Sequence, residues 1–316
     1  MRQPTAVYQN ILMDSLRWHE FPFRDGDIVI STPPKCGTTW TQMICALLIF
    51  GSTDFPRPLD EMSRWPDLLT SRYEDLVAEL AAQPHRRFLK THVPLDGLPL
   101  LDGVTYVCVG RDPRDAAISW DNHIENTNFE VLIGKRVAAV GTDGLAGPSP
   151  DGEPERPAGL PDRLDSAYDR FWAWVDNYDV LVGLPAMLHH LATFWEVRHL
   201  PNVLLWHYDE MKADLDGTMR QLAARIGVEV PEESWPELVR AARFDQMRSR
   251  SDELTPDSAI FLDPARFFNR GESGQWRELL DADDLRRYQG RVRELCDPAL
   301  ATWVHRGSIV DGATPA

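Results

Sequence analysis

Apolar and polar positions along the chain alternate between two periods. Asp27-Ile28-Val29-Ile30-Ser31-Thr32 is a short, apolar, β-branched run, the pattern of a buried strand. Pro33-Pro34-Lys35-Cys36-Gly37-Thr38-Thr39-Trp40 follows, and its prolines and glycine require a turn. Apolar residues then recur at 43, 44, 47 and 48, a helical spacing. Further strands are predicted from Arg87 to Thr91, over 104–109 and over 202–208. Helices are predicted around 72–83, from Ala116, over 188–199, over 215–226 up to Gly227, and around 283–295. Residues 1–26 read as a helical lead-in that turns at Phe21–Gly26. The stretch 141–163 is rich in Gly, Pro and Asp without periodicity, which predicts a flexible lid. Strands alternating with helices imply an α/β fold: one domain over residues 1–316, a central mostly parallel sheet flanked by helices, and ligands at the strands' carboxyl ends.

Charge narrows the function classes. The chain carries 49 acidic against 33 basic residues, a net charge of −16, which excludes a nucleic-acid partner that needs a basic face. No apolar run has the length of a membrane span, and the N-terminus lacks a basic-then-apolar signal pattern, so a cytoplasmic location is expected. The cysteines Cys36, Cys45, Cys108 and Cys296 are scattered, with no C-x-x-C spacing, and read as reduced residues. No HExxH or His/Cys cluster suggests a metal, and the adjacent His189 and His190 fall on different faces of a helix. An acidic chain that binds a polyanion must do so in a local basic pocket, which makes its few well-placed cations informative.

Strand, turn and helix over 27–45 is the layout in which free backbone N–H groups at a helix N-terminus meet an anion. Lys35 adds a charge, and Thr38 and Thr39 add hydroxyl donors. The order is not Walker A, because the lysine precedes the glycine. It is not a cysteine phosphatase loop either, since the sixth residue after Cys36 is Gln42 and not arginine. An ordinary strand–helix connection is the plain alternative. The loop closely resembles the 5′-phosphosulfate loop of the cytosolic-type sulfotransferases, usually Pro-Lys-Ser-Gly-Thr-Thr-Trp, with Cys36 in the place of serine.

Further segments carry the same resemblance in the same order over most of residues 20–300. Lys90-Thr91-His92-Val93-Pro94 is similar to the family's Lys-Thr-His-Leu-Pro, which implies His92 as general base with Lys90 assisting; a lone histidine after a strand is otherwise structural. Arg111 and Ser119 resemble the family's 3′-phosphate site, while Arg114 and Asp115 read as a surface pair at a helix start. Phe268-Asn269-Arg270-Gly271 stands where the family has Arg-Lys-Gly over the same phosphate; Asn269 replaces one cation, and Arg266 could compensate. Tyr208 resembles the tyrosine that reaches the adenine, and Trp40 the ring stacked on it, unless Trp40 is simply core. Phe244 and Met247 match an apolar stretch near the adenine, preceded by Ala242-Arg243 instead of the family's Thr-Ser, and Trp276 matches a packing residue.

The resemblance implies 3′-phosphoadenosine 5′-phosphosulfate (PAPS) as donor, 3′-phosphoadenosine 5′-phosphate (PAP) as product, and no metal. Lys35 would stabilise the leaving phosphate, and Cys36, Gly37, Thr38 and Thr39 would hold it. The acceptor is expected to be a small-molecule or glycolipid hydroxyl. Its pocket is expected from segments 1–25, 55–75, 121–135 and 141–195, with Trp65, Phe129, Phe171, Trp172 and Trp174, and suits a phenol, a sterol-like alcohol or a sugar. The segments around His92 and Arg270 resemble bacterial members, some similar to mycobacterial glycolipid sulfotransferases. The family's usual Lys-x-x-x-Thr-Val-x-x-x-Glu dimer segment is absent after Gly274, which leaves the oligomeric state open. Two rival classes are a non-catalytic nucleotide-binding regulatory module and a P-loop kinase-like phosphotransferase. The first would tolerate loss of Lys35 or His92, and the second needs a lysine after the glycine.

Overall fold

Four strands pair in parallel in the order β2-β1-β3-β4, where β1 is Ile28–Ser31, β2 Phe88–Thr91, β3 Thr105–Gly110 and β4 Val203–His207. The register pairs Ile30 with Lys90 and Ser31 with Thr91 on one side of β1, and Ile30 with Val107 on the other. The computed structural model describes residues 2–143, 145, 164–177, 179 and 181–307. Most of the expected lid at 141–163, namely residue 144 and residues 146–163, lies outside the described residues.

Strand alternation builds the core on both faces of the sheet. Ile28, Ile30, Phe88, Val107 and Val109 pack with Met43 and Leu47 of the helix Thr38–Phe50 and with Met219 and Leu222 of the helix Leu215–Ile226. Val29, Leu89, Tyr106 and Cys108 face the other way, against Leu188 and Leu191 of the helix Leu184–Trp195 and Leu300 and Val304 of the helix Pro298–Arg306. The result is an α/β domain with a parallel sheet between helices, as the strand–helix alternation implies.

Three departures have local causes. The N-terminal segment is not helical: it runs extended, with bridges from Arg2 to Leu100 and from Met13 to Leu68, and turns only at Ser15–Trp18. Asn10 accepts from the amides of Leu12 and Met13, and Asp14 from that of Leu16, so short polar side chains take the backbone donors a helix would need. The helix expected at 188–199 is Leu184–Trp195, started by Gly183 and a first-turn proline. The pattern also does not mark the helices Phe129–Val140, Ala167–Val175, Trp235–Ala241 and Pro298–Arg306.

Candidate active site

β1 lies between β2 and β3, so the connections leave its carboxyl end in opposite directions and open a crevice there. Lys35 follows β1, His92 follows β2 and Arg111 follows β3. All three line one cavity of about 1280 Å³.

The turn after β1 is shaped by two left-handed residues, Lys35 (φ 68°) and Gly37 (φ 99°). Such alternation turns successive amides toward one point, the geometry of an anion nest. The helix Thr38–Phe50 starts at Gly37 without a side-chain cap, which leaves its first amides free. A Cβ on Gly37 would lie 3.3 Å from the Tyr208 ring, so the position is restricted by space as well as by φ. Thr38 and Thr39 line the cavity, and the Thr38 hydroxyl bonds that of Thr32 at 2.6 Å. Trp40 also lines it, donating from Nε1 to the Ala242 carbonyl at 2.8 Å and standing edge-on to Tyr208 at 5.3 Å. Cys36 does not line the cavity: its side chain is buried in the core, and its amide donates to the Pro33 carbonyl at 3.3 Å. Burial pushes its thiol up to about 12, which removes it as a nucleophile.

Three cations converge here. Among the described residues neither Lys35 nor Lys90 makes an ion pair; their ammonium groups lie 5.1 Å from the Phe267 ring centroid and 4.1 Å from that of Trp65. Burial, with the charges of Arg111 and Lys90, lowers Lys35 to about 7. Burial also lowers Lys90 to about 8, against the opposing pull of Asp67 and Asp60. Arg111 donates to the carbonyls of Lys35 (3.1 Å) and Glu272 (3.2 Å), and its buried Nε has no partner. Cations without carboxylate partners among the described residues, Arg111 buried and Lys35 and Lys90 half-buried, fit a bound polyanion in a chain of charge −16, which would relieve both the repulsion and the desolvation.

His92 has a defined tautomer. Its Nδ1 lies 2.7 Å from the Thr32 carbonyl, which can only accept, so Nδ1 carries the proton and Nε2 keeps its lone pair. Burial, then the Lys90 charge, holds the imidazole well below its ordinary range, so it is neutral at pH 7. Trp65 stands edge-on to it at 4.8 Å and is itself anchored, Nε1 to Asp67 at 3.0 Å. Asp67 is buried and also accepts from Trp18.

Ser119, Tyr208, Phe244, Met247, Asn269, Arg270 and Gly271 all line the same cavity. Tyr208 has the Arg111 guanidinium 4.5 Å over its ring. Gly271 is left-handed (φ 64°), and a Cβ there would sit 2.6 Å from Phe244, so the loop closes directly on that ring. Arg266 lines the cavity while paired with Glu125 at 3.5 Å. Arg114 and Asp115 do not form the expected surface pair. Asp115 is buried and accepts from the amides of Gly274 (2.8 Å) and Gln275 (3.0 Å), whereas Arg114 pairs with Asp112 and lies 3.8 Å over Trp276. Asp115 therefore anchors the loop that carries Asn269–Gly271.

The aromatic wall differs from expectation too. Trp65 and Phe129 line the cavity, but Phe171, Trp172 and Trp174 belong to the core. Their places are taken by Trp120, His123, Phe261, Phe267 and Phe268. His123 lies four residues after Ser119 on one helix, a spacing that puts both on one face. Phe261 and Phe267 come from a segment with no periodic signal.

The family profile described as the sulfotransferase domain matches residues 25–300. The chain is 39% identical to a glycolipid sulfotransferase of Mycobacterium bovis, with 96% of this chain and 94% of the relative covered. It is 38% identical to a glycolipid sulfotransferase of Mycobacterium tuberculosis over the same shares. Among solved structures, a mouse sulfotransferase complexed with PAP is similar at a TM-score of 0.66 and 18% identity, covering 96% of both chains, a likeness of fold. With this profile across the crevice loops and this identity over nearly its whole length, the chain belongs to the sulfotransferase family.

Proposed function

We propose that this protein is a PAPS-dependent sulfotransferase acting on a hydroxyl of a small-molecule acceptor, foremost a glycolipid. The observation that carries it is the convergence of Lys35, Lys90 and Arg111, without carboxylate partners among the described residues, on a crevice that also holds a neutral His92 with a free Nε2. The 39% identity to a mycobacterial glycolipid sulfotransferase supports the acceptor class.

When bound, the donor supplies a sulfuryl group already activated by its phosphate leaving group. Lys35 and the free amides of Gly37, Thr38 and Thr39 bind the 5′-phosphate end, whereas Cys36, its amide held by the Pro33 carbonyl, only shapes the turn. Arg111 and Ser119 bind the 3′-phosphate, closed over by Asn269, Arg270 and Gly271. Trp40, Tyr208, Phe244 and Met247 form the adenine wall. His92 Nε2 takes the proton of the acceptor hydroxyl, while Lys35 and Lys90 stabilise negative charge at the reacting end. Four free cysteines, three of them buried, support a cytoplasmic setting.

The test is a transfer assay with PAPS and glycolipid or aryl-alcohol acceptors. The native chain forms sulfated product, and His92→Ala lowers kcat by about 10²–10⁴-fold with PAP binding retained. Full turnover by His92→Ala would overturn the assignment of the base.

A further inference from the structure

The cavity holds a second imidazole that the chemistry above leaves unused. His123 sits in the last turn of the helix Pro113–Glu125 and lines the same cavity as Lys35, Lys90 and His92. Its ring packs among Trp120, Phe261 and Phe267, at centroid distances of 5.5, 5.6 and 6.4 Å. Phe267 is also the ring beneath the Lys35 ammonium, so His123 shares a wall with the reacting end.

Among the described residues no group hydrogen-bonds its ring nitrogens, and they are not sealed from the cavity. Nearby amides are already engaged: Asn122 donates to the Ile118 carbonyl and Asn126 to that of Asp263. Burial and the charges of Lys35 and Lys90 keep the imidazole neutral, so it offers one donor and one acceptor. Unlike His92 it has, among the described residues, no carbonyl that fixes its tautomer, so either nitrogen can carry the donor proton. A wholly apolar acceptor would cover these nitrogens and leave them without partners, whereas a ligand hydroxyl would satisfy one.

We propose that His123 selects the acceptor, hydrogen-bonding a second hydroxyl while the first faces His92, so that the site favours acceptors with more than one hydroxyl, such as a sugar ring, over phenols and sterol-like alcohols. This inference rests on the sulfotransferase function proposed above.

The test uses two probes with the same tail, octyl β-glucoside below its critical micelle concentration and 4-octylphenol. Each is titrated into the native chain, His123→Phe and His123→Gln, with and without saturating PAP. His123→Phe is expected to weaken the glucoside by about tenfold or more and the phenol by no more than about twofold. His123→Gln is expected to recover part of the loss, with PAP affinity unchanged in both variants. Equal changes for the two probes, or none for either, would overturn the role of His123. Absence of PAP binding to the native chain would instead overturn the donor assignment, and the titrations without PAP would still decide the role of His123.

Discussion

Lys35 is held where its charge is unfavourable, half-buried and near Arg111 and Lys90, and this couples donor binding to protons. Lys35 is lowered to about 7 and Lys90 to about 8, both below the ordinary value of 10.5. A bound polyanion raises both, so binding takes up protons at pH values between the free and the bound pKa. The affinity for PAP is therefore expected to fall as pH rises above about 7, with net proton uptake in calorimetry at about pH 8 in buffers of different ionisation enthalpy. Affinity that rises over that range, or proton release, would contradict the placement of these two lysines. His92 behaves oppositely: with its pKa well below the usual 6.5 it is neutral across this range and stays competent as a base.

At the scale of elements, the crevice depends on loops that brace one another. Arg111 ties the Lys35 turn to the Glu272 backbone, and Asp115 holds the amides of Gly274 and Gln275. Asp115→Asn keeps the size but leaves one acceptor oxygen for two backbone amides, so one bond becomes neutral and the other is replaced by an NH2 facing an N–H. It is expected to weaken PAP binding severalfold with little change in kcat, measured by titration and steady-state kinetics. Unchanged PAP affinity would show that the loop closes without it. What the chain discloses locally follows the same division. The 27–45 strand, turn and helix and the segment around His92 are contiguous, so their spacing alone marks them. The bonds of Asp115 span 159 and 160 residues, and nothing in the run around Asp115 separates a loop anchor from a surface carboxylate. Phe261 and Phe267 reach the wall through tertiary packing from irregular chain, while the Trp-rich helix Ala167–Val175, which looked like pocket, is core. At the N-terminus the apolar residues survive a change of element, because Asn10, Asp14 and Ser15 bind the backbone in place of a helix.

Across the whole molecule, the sheet that presents the three loops is joined below them by a buried ion pair. Arg87 donates to both carboxylate oxygens of Asp27 and to the Pro22 carbonyl, at the residues just before β2 and β1, with both side chains almost fully buried. Asp27→Ala would leave the guanidinium buried and uncompensated, an expected loss of about 3–5 kcal/mol in denaturant unfolding. A loss below about 1 kcal/mol, the scale of an exposed pair, would mean that the site rearranges to admit water. Calorimetric titration of PAP into the native chain and Lys35→Ala decides whether the crevice is a polyanion cradle organised by Lys35. Saturable binding to the native chain is expected, weakened by about tenfold or more in the variant through loss of a charged hydrogen-bond donor. No binding to the native chain, or equal binding by both, would contradict the cradle.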